Sequence, residues 1–343
     1  MRKLLITLLL LTSCKAPLYF SYGYSPYGYP QAVQPADEQE FFTFLGTQNN
    51  NKGALLVGTS WRDDQFGVTD GGGAIPAVIA PRNAQAAANN FTNIIIIDWR
   101  SGQTLLMNQP APGDTTNSWS NSESKTKLLN MLKSLISTYK PKYLFLGNEI
   151  NEYTGPDYSQ MVDFYNSAYP QLKALNSATK LGVIFQYESL SGHQSLRVPG
   201  APADWGKLTQ FDLAKLDVIG LTLYPMFDNA NPNLIPANYL QPLKDRIGTK
   251  PVVITETGWP SEDLIPDPNS PPWVTSPQAQ VDYINKMPSF LNAITVEVMG
   301  WLFYQPLKGP IPEGFKIFSP IALFDSNKNK LPSYDLWVAQ TKK

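Results

Sequence analysis

Lys142-Tyr143-Leu144-Phe145-Leu146-Gly147-Asn148-Glu149 is a short apolar run that ends in glycine, asparagine and a carboxylate. A second run of the same build follows at Pro251-Val252-Val253-Ile254-Thr255-Glu256. Runs this short, apolar at successive positions, suit strands buried on both faces of a parallel sheet. In parallel α/β proteins, functional groups collect at the C-terminal ends of the strands. Each run places a glutamate there.

Outward from these two runs the pattern repeats as apolar strand, loop and amphipathic helix. Ala54 to Ser60 and Asn93-Ile-Ile-Ile-Ile-Asp98 are strand candidates. Glu123 to Tyr139 reads as a helix, because Leu128, Leu129, Leu132, Leu135, Ile136 and Tyr139 follow helical spacing and Pro141 lies just past the end. Tyr158 to Leu175 is a weaker helix, Leu181 to Phe185 a strand and Asp217 to Tyr224 another. A short helix near Tyr239 to Ile247, a strand Val252 to Thr255, a helix Gln278 to Leu291 and a strand Val296 to Tyr304 complete the chain. Alternating strands and helices imply parallel pairing with right-handed crossovers. The fold class is therefore α/β, a single (β/α)8 TIM barrel, with a doubly wound open sheet as the alternative. Counted back from the last strand as eighth, Glu149 ends the fourth and Glu256 the seventh. Strands one to three have weaker candidates: Ala54 to Ser60, Ile94 to Asp98, and either Phe41 to Leu45 or Thr104 to Met107.

Arg2 and Lys3 precede an apolar run, Leu4 to Leu11, that is too short to span a bilayer. It leads into Leu11-Thr12-Ser13-Cys14, which resembles a bacterial lipoprotein signal; an ordinary secretory signal is the alternative. Cys14 is the one cysteine of the chain, so no disulfide competes for it. The expected order is a signal over 1–13, a lipid-anchored tether over 14–38 and the barrel over 39–343. The lipid on Cys14 would hold the protein to a membrane in the cell envelope, outside the cytoplasm.

Composition narrows the partners. There are 27 basic and 28 acidic side chains, a balance that argues against nucleic acid. Charged residues make up 16% and aromatics 12%, with 8 Trp and 17 Tyr, which suits a surface that handles sugars, although core packing accounts for most of the rings. His193 is the one histidine; it reads as a surface loop residue, and it leaves little for a catalytic triad or a histidine metal site. No cofactor and no metal are expected, and the chain is expected to be a monomer.

Two carboxyl groups facing each other across a barrel mouth are the equipment for cleaving a glycosidic bond. One protonates the leaving oxygen. The other attacks or supports the cationic centre, at about 5–5.5 Å from the first in retaining enzymes. Glu188, Glu152 and Asp63-Asp64 are competing carboxylates. Gly258 would permit a sharp turn after Glu256, and Trp259 would offer a flat face.

Gly147-Asn148-Glu149-Ile150-Asn151 resembles the fourth-strand motif of the (β/α)8 retaining glycoside hydrolases, most of all the endo-β-1,4-galactanases. Thr255-Glu256-Thr257-Gly258-Trp259-Pro260-Ser261 is similar to the nucleophile motif of plant-type β-1,3-glucanases. Ile219 to Pro225 and Gly300 to Tyr304 resemble the sixth and eighth strands of galactanases. Leu323 to Asn327 and Pro332 to Asp335 also have the look of such enzymes. The resemblance implies that Glu149 is the general acid/base and Glu256 the nucleophile. It also implies that Asn148 binds the sugar, that Tyr224 donates to Glu256 and keeps it ionised, and that Trp301 exposes a ring face as the floor of the site. The clan's basic residue near strand two has Arg62 and Arg100 as candidates. Met226-Phe227-Asp228 departs from the Trp-His that galactanases carry there. The implied function is an endo-acting, retaining β-glycanase acting on a β-linked oligo- or polysaccharide. A transglycosylase or a surface sugar-binding barrel without catalysis are the alternatives.

Overall fold

Eight runs of parallel backbone pair side by side. They are β1 Tyr22–Ser25, β2 Ala54–Ser60, β3 Thr92–Asp98, β4 Tyr143–Leu146, β5 in two halves (Lys180–Gly182 and Ile184–Gln186), β6 Ile219–Leu223, β7 Pro251–Thr257 and β8 Thr295–Phe303. The structure is a computed structural model and describes residues 22–25, 35–47, 53–61, 75–76, 78–101, 104–105, 119–264, 273–307, 311 and 313–340.

The first half of β5 pairs with β4 and the second half with β6. Only Val183 separates the halves. Its carbonyl accepts from Gly220 N at 2.9 Å on the β6 side, while Ile184 N reaches Gly147 O at 3.3 Å on the β4 side. The sheet therefore returns on itself, and the fold is a (β/α)8 barrel.

The interior and the shell follow from period-two alternation along each strand. Ala54 and Leu56, Ile94 and Ile96, Tyr143 and Phe145, Ile184, Val253 and Val298 form the inner cluster. Leu55, Val57, Ile95, Ile97, Leu144 and Leu146 belong to the shell under the helices. Glu297 closes the interior near the N-terminal ends of the strands, accepting from Tyr143 Oη at 2.8 Å and pairing with Lys180.

The helices are α1 Pro35–Thr47, α2 Ile79–Ala88, α3 Ser122–Tyr139, α4 Tyr158–Leu175, α5 Gln241–Ile247, α6 Pro277–Leu291 and α7 Pro332–Gln340. Asn121 caps α3, its side chain accepting from Ser124 N at 3.0 Å, and Ser276 caps α6 in the same way through Ala279 N at 3.3 Å. Leu128, Met131, Leu132, Leu135 and Ile136 form the buried stripe of α3.

The N-terminal third corrects the sequence reading. Tyr22–Ser25, expected inside the tether, is the first barrel strand and pairs with both β8 and β2. Without it those two strands would each leave a row of unpaired backbone groups. Phe41 to Leu45 lies inside α1, and Thr104–Leu105 forms a small antiparallel ladder with Arg100–Ser101. Met107 and Cys14 lie outside the described residues. Among the described residues, no helix is long and apolar enough to cross a membrane.

A chain beginning at Phe20 should keep one cooperative unfolding transition. A chain beginning at Pro30 should lose it or melt on the order of 10 °C lower, since several kcal/mol of strand pairing are gone. Circular dichroism melts of the two would check this.

Candidate active site

The segment after β4 gives each of its five motif residues a separate task. Gly147 turns the chain at φ 93°, and a Cβ there would lie 2.4 Å from Trp99 Nε1 and 2.5 Å from Ile150 Cγ2. Asn148 N donates to Asp98 Oδ1 at 3.3 Å, and Asn148 Nδ2 donates to Glu256 Oε1 at 3.2 Å. Glu149 takes a left-handed backbone, φ 48° and ψ 45°, which a non-glycine residue adopts at a cost. Ile150 is fully buried beneath. Asn151 clamps the turn to β5 by a reciprocal pair: Nδ2 donates to Gln186 O at 3.0 Å, and Gln186 N donates to Oδ1 at 2.8 Å.

Glu256 is aimed by a bulge in β7. Ile254 pairs with Leu221 of β6, yet Glu256 pairs with the next residue, Thr222, so β7 carries one extra residue. The register with β8 shifts over the same stretch. Such a bulge re-aims a side chain, and here it brings Glu256 into the mouth beside Asn148.

β6 holds both glutamates. Thr222 Oγ1 donates to Glu149 Oε1 at 2.7 Å. Tyr224 Oη donates to Glu256 Oε2 at 2.9 Å. Thr222 lies in β6 and Tyr224 directly follows it, so one short stretch of backbone spaces the two carboxyl groups. Thr222 and Asp98 are site residues that the sequence reading missed. Asp98 carries the same signal as the two glutamates, a carboxylate at the end of an apolar run. Thr222 carries none.

Electrostatics tie the pair together. Burial first, and then the charge of Glu149, push the Glu256 carboxyl up to about 7; the bonds from Tyr224 and Asn148 pull it down, and Asp98 adds a smaller push upward. The sequence reading placed a settled charge on Glu256. Burial and like charge outweigh the two donors instead, so the pair shares a proton near neutrality. Burial, followed by Glu256, also lifts the Tyr224 phenol well above its usual value, so it stays a donor.

Behind Tyr224 lies a third carboxyl. Glu188 is fully buried and accepts from Gln186 Nε2 at 2.7 Å, Tyr224 N at 2.9 Å and Tyr239 Oη at 3.1 Å. Burial pushes it up to about 8 against the pull of these donors. It supports Tyr224 from behind. His193 is half-buried rather than a surface loop residue, because its ring stacks on Tyr239 at 4.9 Å. Glu152 is part of the turn after Glu149, its N–H donating to Glu149 O at 2.9 Å.

Two aromatic expectations need correction. Trp301 is 1% exposed. Its indole N–H donates to Ile321 O at 2.6 Å, and its ring packs on Trp337 at 5.2 Å, so it offers no open face. Trp259 is 2% exposed; it donates to Thr275 Oγ1 at 3.1 Å and packs on Tyr283. The C-terminal segment Glu313–Ile321 supplies the acceptor that holds Trp301, whereas Trp259 is held by Thr275 and Tyr283. Gly258 serves the approach of that segment rather than a turn, since a Cβ would meet Ile321 Cγ2 at 2.0 Å. The partly exposed rings on the Tyr224 side are Phe318 and, through the buried Phe227, Trp273. Phe318 packs on Tyr224 at 5.3 Å, and Phe227 bridges Tyr224, Phe318 and Trp273. Arg62, Asp63 and Asp64 lie outside the described residues, as does the side chain of Arg100. Among the described residues, no group of three or more His, Cys, Asp or Glu is arranged to hold a metal.

A barrel with two cross-braced glutamates at the ends of β4 and β7 belongs structurally with the barrel glycoside hydrolases. The profile of glycosyl hydrolase family 53 matches residues 117–337. The chain belongs to that family. A search of curated protein sequences gives no match. Among solved structures, a family 39 glycoside hydrolase from Bacteroides cellulosilyticus is similar at TM-score 0.63 and 17% identity, over 95% of this chain. The match spans 63% of that longer chain, less than two thirds of its length. The GH53 catalytic domain of Ignisphaera aggregans is similar at TM-score 0.53 and 18% identity, over 93% of this chain and 95% of that one. A GH5_18 protein from Bifidobacterium longum, solved with Manβ1-4GlcNAc, is similar at 0.63 and 10% identity, over 95% and 79%. At these identities the likeness concerns the fold.

The buried acids give a signed pH dependence. Glu188 and Glu256 both titrate higher folded than unfolded, so the native state holds more protons between about pH 4.5 and 8. Their stability contribution is full below that window and is lost as pH rises through it. Urea unfolding should show stability falling across the window, by at most on the order of 5 kcal/mol for Glu188. In Glu188→Gln the slope should flatten, whatever the absolute stability. In Glu149→Gln the Glu256 carboxyl should titrate lower, as read by carboxyl NMR.

Proposed function

We propose that this chain is an endo-acting, retaining β-glycanase working outside the cytoplasm. The observation that carries the reading is the bracing of Glu149 and Glu256 by β6 and the residue that follows it, with a donor on each. Membership of family 53 supports the substrate class.

In this reading the pair enters the reaction with its shared proton on Glu149 and the charge on Glu256. The Glu256 carboxylate attacks the anomeric carbon as the C–O bond to the leaving sugar breaks. Glu149 passes its proton to the departing oxygen, which leaves as a hydroxyl. Glu149, now charged, takes a proton from water; the water oxygen displaces Glu256, and the β configuration returns. Tyr224 and Asn148 keep Glu256 aimed throughout. The partly exposed rings of Phe318 and Trp273 give apolar faces against which further sugars of a chain can pack. β-1,4-Galactan is the first polymer to test, on the motif resemblance, with β-1,3-glucan and mixed-linkage glucan beside it.

The envelope location rests on the N-terminal signal-like segment with Cys14. Mass spectrometry should find the mature N-terminus at a lipid-modified Cys14, and the protein should fractionate with membranes. An unmodified Cys14 in the mature protein would remove the anchor and leave the enzyme reading intact.

Release of reducing ends should fall at least about a thousandfold in Glu256→Ala, on the order of what losing a covalent nucleophile costs. With an activated aryl β-glycoside, azide should yield the β-glycosyl azide in Glu149→Ala and the α-product in Glu256→Ala. The reverse pattern would exchange the two roles. Sugar binding without turnover by the wild-type protein would replace the enzyme by a binding barrel.

A further inference from the structure

We infer that Thr222 is the positioning residue of the proton donor, fixing which oxygen of Glu149 faces the leaving group and holding that carboxyl as its proton departs. This rests on the reading of Glu149 as the acid/base.

The motif residues around the pair serve Glu256: Asn148 donates to one of its oxygens and Tyr224 to the other. Glu149 instead meets Thr222, whose hydroxyl lies 2.7 Å from Oε1. Thr222 is fully buried. It is pinned on both sides, opposite Gln186 of β5 and Glu256 of β7. A β-branched side chain in a strand has few χ1 choices, so its oxygen is fixed relative to both catalytic groups.

A hydroxyl has a single proton to give. With Oε1 accepting that proton, the acid proton belongs on Oε2. The bond also changes strength along the reaction. Toward a neutral carboxyl it is an ordinary hydrogen bond; toward the carboxylate formed when the proton leaves it becomes charge-assisted and roughly twice as strong. An interaction that grows toward the transition state raises turnover rather than binding.

The test is Thr222→Val, which keeps shape and loses the O–H, beside Thr222→Ser, which restores it. On a substrate with a sugar or alkyl leaving group, kcat/KM of Thr222→Val should fall about tenfold to a hundredfold, with KM little changed. On a 2,4-dinitrophenyl β-glycoside, whose departure needs no acid, the loss should be at least fivefold smaller. The alkaline limb of the pH profile should move to higher pH in Thr222→Val, and Thr222→Ser should recover most of both effects. Equal losses on the two substrates, or failure of Thr222→Ser to recover them, would make Thr222 a packing residue and overturn the proposal. Independently of turnover, carboxyl NMR should show the shared proton held to higher pH in Thr222→Val; an unchanged titration would also overturn it. If Glu149→Ala itself shows no leaving-group dependence, the acid/base assignment fails first, and that outcome is separate from the behaviour of Thr222.

Discussion

Two like-charged carboxyl groups held at one barrel mouth repel each other, and the surrounding structure is arranged around that repulsion. Water would screen it, but Glu256 is crowded by protein, and its carboxyl is pushed up to about 7 by burial and then by Glu149. Fixed donors replace part of the lost solvation: Thr222 on Glu149, Tyr224 and Asn148 on Glu256. Charge-assisted hydrogen bonds of this kind are the strong ones, yet here they offset the push only partly. The remainder keeps a proton in the pair near neutrality, which is the state that acid-assisted cleavage starts from. The support extends outward: Glu188 and Asp98 each accept a backbone N–H, from Tyr224 and Asn148 respectively.

The placement also breaks local rules at both ends. Glu149 sits in a left-handed conformation that costs of order 1–3 kcal/mol for a residue with a side chain. Glu256 sits on a bulge that gives up regular pairing. Neither departure is repaired locally. The clamp between Asn151 and Gln186 and the buried Ile150 hold the first. The pairing of β7 with β6 and β8 on either side of the bulge holds the second. The barrel supplies this over-determination, because every strand is paired on both edges.

This division explains what the sequence discloses. Strands β4, β6, β7 and β8 and helices α3, α4 and α6 are legible because each satisfies a local period with apolar residues. Glu149, Asn148, Tyr224 and Glu256 are legible because they close those strands. β1 is not: Tyr22–Ser25 lies among prolines and glycines, and what makes it a strand is the open edges of β8 and β2, far away in the chain. Trp259 and Trp301 mislead for a related reason. Position after a strand says that a ring lies near the mouth, whereas partners more distant in sequence decide that both rings are covered: Ile321 and Trp337 for Trp301, Thr275 and Tyr283 for Trp259.

Chemistry and specificity are accordingly written in different residues. Asn148, Thr222 and Tyr224 each place a donor on one of the two carboxyl groups. Their task is the same whichever β-linked sugar arrives, so motifs shared with galactanases and with β-1,3-glucanases can coexist here. Sugar choice falls to groups that face outward from the pair. The Met226-Phe227-Asp228 turn shows this. It replaces the galactanase-like Trp-His, and Phe227 now joins Tyr224 to the partly exposed rings of Phe318 and Trp273. Asp228 ties that turn to Ser195, accepting from its hydroxyl at 2.7 Å, so the turn has a second anchor besides its bond from Phe227 N to Tyr224 O. The wall and the bracing of the pair therefore meet at Tyr224, whose ring packs on Phe227 and Phe318 while its hydroxyl donates to Glu256.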